Sequence, residues 1–248
     1  MLQVFPVHGL PIIKPGDDLP VMLARAIEPL APCGGDVLVV TSKIVSKAEG
    51  RFVRLSSVTP TALAIELARA ARKDPRMVEL ILRESAAVSR VAPGVLITRH
   101  RLGFTSANAG IDHSNVDVDE DLVLLLPADP DWSAWVINHC LCEILGVMIP
   151  VVIADSHGRP HRLGTVGVAV GLAGLPGVED WRGRPDLFGF NLQHTDIGLA
   201  DMVASAATLV MGQAAEGVPA TLVRGLVFTT RAGNAAEINR PPAMNLYS

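Results

Sequence analysis

Ile149-Pro150-Val151-Val152-Ile153-Ala154-Asp155-Ser156 is the stretch on which the fold turns. Its apolar run is too short for a helix and too continuous for a half-exposed strand, so residues 149–154 read as a strand buried on both faces. A carboxylate and a hydroxyl, Asp155 and Ser156, emerge together at its end. Upstream, residues 132–154 form the longest apolar stretch, interrupted by Asn138, His139, Glu143 and Pro150. A membrane span needs roughly 20 nearly uncharged residues. The stretch reads instead as a core helix, residues 131–145, followed by the strand. A second continuous β-branched run, residues 36–41, reads as another central strand and delivers Ser42-Lys43-Ile44-Val45-Ser46-Lys47 at its end.

Outward from these two strands, residues 2–7 read as a short strand. Pro15-Gly16-Asp17-Asp18 forms a turn whose acidic residue caps a helix over 20–30. Thr59-Pro60 opens a helix to residue 71 and Asp74-Pro75 opens another to residue 84. Residues 95–98, 122–126 and 220–223 are strand-like, and 195–211 form a last long helix. The glycine-spaced residues 164–174 alternate small and β-branched residues, which suits strands or turns that a ligand or another backbone approaches closely. No low-complexity linker, solenoid repeat or sustained heptad interrupts the chain. Without a regular βαβ cadence, the expected class is α+β with a mixed sheet. At 248 residues the chain is either one large domain or two small interlocked ones.

A net charge of −4 and a pI near 6.0 supply no basic stripe, so nucleic acid and membrane are not expected partners and small molecules are. Residues 1–9 carry neither a basic leader nor an apolar signal core, which makes the cytoplasm the expected location. Cys33, Cys140 and Cys142 are odd in number and lack C-x-x-C spacing, so they are expected to be buried thiols.

The segment Ser106-Ala107-Asn108-Ala109-Gly110-Ile111-Asp112-His113-Ser114-Asn115 is poor material for a helix or strand interior and suits a site loop. Asp112 and Asp155 offer hard oxygen ligands for Mg²⁺ or Mn²⁺, although each also reads as a turn or cap residue. Lys43 and Lys47 would face one phosphate chain if their segment turns helical, and otherwise read as ordinary solvated lysines. Arg159 and Arg162 could clamp an anion or lie on the surface. His157 and His161 stand four apart, but Gly158 and Pro160 spoil the helix that zinc-binding spacing requires. The G-x-x-x-x-G-K-[ST] phosphate loop is absent from the chain.

Taken in order, these loops resemble one family, the coenzyme F-420-0:L-glutamate ligases. The matching pieces are Val7-His8-Gly9-Leu10-Pro11, Thr41 to Gly50, Ala107 to Asp112 with Ser114-Asn115-Val116, Asp155-Ser156 with Gly158-Arg159, Gly171 to Gly174, and Gly212-Gln213 through Gly217-Val218-Pro219. The resemblance implies the mixed-sheet α+β ligase fold of that family with two interlocked subdomains, acting as one unit over 1–248. It implies a homodimer that uses GTP and a divalent cation, Mg²⁺ or Mn²⁺, to join L-glutamate to F-420-0. A monovalent cation is a further candidate. By position, Asp112, Asp155, Ser156 and Gln213 would hold the metal. Gly9, Leu10, Pro11, Ile12, Ser42, Lys43, Lys47, Asn115, Met211, Gly212, Gln213, Ala214, Ala215, Glu216, Gly217 and Val218 would line the nucleotide, and Asp112, Asp155 and Lys47 would carry the catalysis. The chain departs from the family pattern at Pro160 to Thr165, at Phe188 and at Met202, in the region expected to meet the acceptor. The nitroreductase-like extension of some members is not expected here.

Overall fold

A computed structural model describes residues 1–244. The first elements are strand β1 (Gln3–Pro6), helix α1 (Leu19–Ile27), strand β2 (Val37–Thr41), helix α2 (Ser42–Ala48) and strand β3 (Phe52–Arg54). Helices α3 (Ala62–Ala71) and α4 (Pro75–Arg83) lead into strands β4 (Ser85–Ala92), β5 (Val95–His100), β6 (Thr105–Ala107) and β7 (Leu122–Leu124). Helix α5 (Pro130–Leu145) precedes the long hairpin of β8 (Val151–Arg159) and β9 (Arg162–Ala173). Short strands β10 (Glu179–Asp180) and β11 (Asp196–Ile197), helix α6 (Leu199–Met211) and strand β12 (Ala220–Arg224) complete the order.

The main sheet is five-stranded, in the order β1-β12-β2-β8-β9. Only β2 and β8 pair in parallel and the rest are antiparallel, so the sheet is mixed, as expected. The two apolar runs lie side by side at its centre. Leu38, Val40, Val151 and Ile153 point to one face, where Leu23 and Ile27 of α1 and Ile137 and Leu141 of α5 cover them. Val37, Val39, Val152 and Ala154 point to the other, against Val203 and Ala207 of α6. With both faces buried there is no polar side to alternate, which is why these strands read as unbroken apolar runs. Each fully buried Val, Leu or Ile contributes about 1.5–3 kcal/mol.

Strand β9 sits at the sheet's edge, and two helices close on it. A Cβ at Gly171 would strike the backbone of Pro130, and one at Gly167 would strike the Ala204 carbonyl. The glycine spacing therefore serves backbone approach. Where β8 and β9 slip register beyond Ile153, Asp131 and Asp201 accept the edge N–H groups of Leu172 and Ala169, both at 2.8 Å. A smaller unit, α3, α4 and the β4-β5-β6 sheet, packs around Ala68, Val78, Ile81 and Leu96. The β3-β7 ladder forms a separate two-stranded sheet.

The helix boundaries follow their caps. Asp18, Thr61, Asp74 and Asp129 each accept a backbone N–H in the first turn of α1, α3, α4 and α5. Four expectations need correction. Strand β8 does not stop before Asp155 but continues to Arg159, because β9 pairs with it throughout. Helix α6 starts at Leu199, since Asp196 and Ile197 pair with β10. Strands β3, β4 and β6 carry exposed or polar residues and give no apolar run to read. The thiols are not buried: Cys33 is exposed, and Cys140 and Cys142 are half-buried on α5. Among the described residues, no helix is long and apolar enough to cross a membrane.

Candidate active site

One cleft of about 690 Å³ gathers the loops singled out in the sequence. That volume lies within the roughly 300–1,000 Å³ of small-molecule sites. Its floor is the junction between β2 and α2, which follow each other without a loop. The helix forms there, so Lys43 and Lys47 stand one turn apart on a common face and both line the cleft. Ser42, at the first helical position, is buried beneath them and donates to Asp155 Oδ1 at 3.2 Å.

Asp112 arrives from the opposite wall. Asn108, Ala109 and Gly110 take three successive left-handed conformations, φ 51°, 53° and 64°. This turn throws the chain back so that Asp112 bridges Leu124 of β7 through both backbone groups. At Gly110 a side chain would press on Leu126, 2.8 Å away, with Asp155 Oδ2 at 3.5 Å. The glycine keeps room for Leu126 beside Asp155. Asn108 accepts the Leu96 N–H at 3.1 Å through Oδ1, which anchors the turn to β5.

The two carboxylates feel each other. Burial first, then the charge of Asp155, pushes Asp112 up to about 6, although Lys43 and Lys47 pull the other way. Lys43 Nζ sits 3.1 Å from Asp112 Oδ2 and donates to the Ser114 carbonyl at 2.7 Å. Burial, then the charge of Lys43, lowers the pKa of Lys47 below its ordinary value.

The third wall is the loop after α6. Ser156 Oγ donates to Gln213 Oε1 at 2.8 Å, and Asn115 Nδ2 to the Ala214 carbonyl at 2.8 Å, so strand, site loop and glycine loop are tied together. Gly212 has φ 73°, and a Cβ there would collide with the Glu216 side chain. Glu216 accepts the Ala214 N–H at 2.8 Å and so shapes the loop as well as lining the cleft.

Leu10, Pro11, Ile12, Lys43, Lys47, Asp112, Asn115, Asp155, Ser156 and residues 211–218 all line this one cleft. Gly9 and Ser42 lie just outside the lining. Arg159 and Arg162 are not brought to it: they sit at the far end of the β8–β9 hairpin, where Arg159 Nη2 donates to the Leu163 carbonyl at 3.2 Å. Sequence reasoning passed over Ser114, whose carbonyl takes Lys43. It weighed His157 only as a zinc ligand, whereas its Nε2 lies 3.0 Å from Asp155 Oδ2. The missed signal was the strand's continuation, since residues two apart in a strand share a face.

The donor set suits a hard divalent cation. Among the described residues no three His, Cys, Asp or Glu side chains group closely enough to hold a metal, so two carboxylates would be completed by neutral oxygens or phosphates. Two carboxylates whose mutual repulsion raises a pKa are relieved by such a charge.

A sequence profile of the family described as F420-0:Gamma-glutamyl ligase matches residues 9–225. The coenzyme F420:L-glutamate ligase of Methanopyrus kandleri is 46% identical over 225 residues, 91% of this chain and 87% of its own. That of Methanothermobacter thermautotrophicus is 44% identical over 250 residues, covering 99% and 98%. That of Archaeoglobus fulgidus is 42% identical over 239 residues, covering 96% and 93%.

Proposed function

Because this chain belongs to the F420-0:gamma-glutamyl ligase family, we propose that it joins L-glutamate to coenzyme F420-0 through an amide bond, at the expense of GTP. The observation that carries the reading is the meeting of Asp112, Asp155, Lys43 and Lys47, from three distant segments, in one cleft closed by the 212–217 loop.

A free carboxylate is a poor electrophile at neutral pH, so the acceptor has to be activated. Transfer of the γ-phosphoryl group to its carboxylate oxygen breaks the bond to GDP and forms an acyl phosphate. The glutamate amine then adds to the acyl carbon, phosphate leaves, and the amine gives up a proton. Asp112 and Asp155, with Ser156 and Gln213, would hold Mg²⁺ or Mn²⁺, which neutralises triphosphate charge when bound. Lys43 and Lys47 offset charge on the phosphates from one helix face, and charge neutralisation with positioning dominates phosphoryl transfer. Leu10, Pro11 and Ile12 give the cleft an apolar wall, and the 212–217 loop shapes its mouth.

We read the main sheet and the smaller β4-β5-β6 unit as two interlocked subdomains of one cytoplasmic ligase. Leu187, Phe188 and Phe190, exposed on the segment between β10 and β11, support a homodimer. The test is the product's mass after incubation with F420-0, L-glutamate, GTP and Mn²⁺. A gain of one glutamyl residue with matching GDP is expected. GDP release with a different carboxylate acceptor, but none with F420-0, would overturn the acceptor assignment and fit the departures at Pro160 to Thr165. No acceptor-dependent GDP at all would mark a nucleotide-binding protein without ligase activity.

A further inference from the structure

We propose that His157 is a positioning residue for Asp155, holding that carboxylate in the orientation that receives the divalent cation; this rests on the metal role given to Asp155 above. His157 follows Asp155 by two positions in β8, so both side chains lie on one face, and the imidazole is buried at 8% exposure. Its Nε2 donates to Asp155 Oδ2 at 3.0 Å while the Ser42 hydroxyl donates to Oδ1 at 3.2 Å. Either protonation state of the ring can supply that donor. Each carboxylate oxygen has two lone pairs, so these two bonds fix the plane of the group and leave lone pairs for a cation.

The ring is itself held from behind. Phe104 tilts against His157 with centroids 5.0 Å apart and stacks on His100 at 5.0 Å and 6°. His100 is fully buried, and its Nδ1 accepts the Leu102 N–H at 3.0 Å. That contact puts the His100 proton on Nε2, which faces Glu84 Oε2 at 3.7 Å. Glu84 is in turn gripped by Arg51 at 3.3 Å and Arg101 at 3.1 Å. A continuous packed row thus runs from a charged anchor beside β4 to the back of Asp155. Nothing in the ligase chemistry requires these aromatic rings to touch substrate, and none of the three lines the cleft. Partners hydrogen-bonded to metal-ligating groups are worth about 10–100-fold in metal affinity or activity.

Mn²⁺ binding to the nucleotide-free protein, followed by the electron paramagnetic resonance signal of the free ion, tests this. His157→Phe keeps the packing on Phe104 and removes the donor, so Mn²⁺ should bind about 10–100-fold more weakly. His157→Gln, whose amide can still donate, should stay within a few-fold of the unaltered protein. Circular dichroism melting confirms that both are folded; if the phenylalanine variant is not, His157→Asn, too short to reach, carries the same expectation. Unchanged Mn²⁺ affinity in the donor-less variant overturns the proposal, and so does a folded glutamine variant as weak as the phenylalanine one. Asp155→Asn is the control for the underlying reading. If it binds Mn²⁺ normally, Asp155 is no metal ligand and the proposal falls at that step instead.

Discussion

At the scale of single residues, the site is built against its own stability. Asp112 titrates at about 6 where an ordinary aspartate titrates at 3.8, because burial and Asp155 disfavour its charge. The folded state therefore holds this proton more tightly than the unfolded chain. Its contribution to stability is fully present below the unfolded value and is lost as pH rises through about 6. Asp112→Asn should consequently raise the melting temperature of the metal-free protein at neutral pH, by a gain on the order of 1–3 kcal/mol. The gain should vanish as the pH is lowered toward 4, which thermal melts across that range will read. On the metal role proposed for Asp112, the same variant should lose turnover, since it removes a charge that the cation would need.

At the scale of elements, one junction shapes the candidate site and another seats a helix on the main sheet. The direct passage from β2 to α2 turns a sequence spacing of four into a shared helix face, which brings Lys43 and Lys47 to the cleft together. The seating of α5 against β9 is the second. Asp131 caps the strand's edge from within the helix's first turn, and Gly171 lets Pro130 come into backbone contact. Any side chain there has to push the helix away. Gly171→Ala should cost about 1–3 kcal/mol, the usual cost of overpacking a tight contact. In urea titrations it should lower the midpoint and leave the slope unchanged. Gly94, unlike Gly171, sits at positive φ with open space around it and offers the contrast of backbone strain without collision.

At the scale of the whole molecule, the segment between β10 and β11 stands out. Leu187 and Phe188 are 98% and 95% exposed, more than an isolated chain gains from showing to water. A homodimer gives these side chains a cover. Light scattering after gel filtration should then return twice the monomer mass of 26.2 kDa. Phe188→Asp should shift the population toward the monomer, and a protein that is monomeric before the change would leave this surface without the proposed role. The sequence by itself determined the two central strands, the acidic caps of α1 and α4 and, through ordered loop motifs, the family, whereas α3 is capped by Thr61 and not at the expected Thr59. Each of these is written in residues adjacent along the chain: a run without a polar side, an acid before a helix, a glycine where φ must be positive. The polar strands β3, β4 and β6 carried no such mark, since their place is set by the partners that pair with them. Only the tertiary structure decided that Asp112 faces Asp155, that Lys43 reaches across to Asp112, that His157 braces Asp155 and that Arg159 and Arg162 stay at the far end of their hairpin. These approaches depend on sheet order and on which helix covers which face, and long-range packing leaves no periodic trace in any one segment.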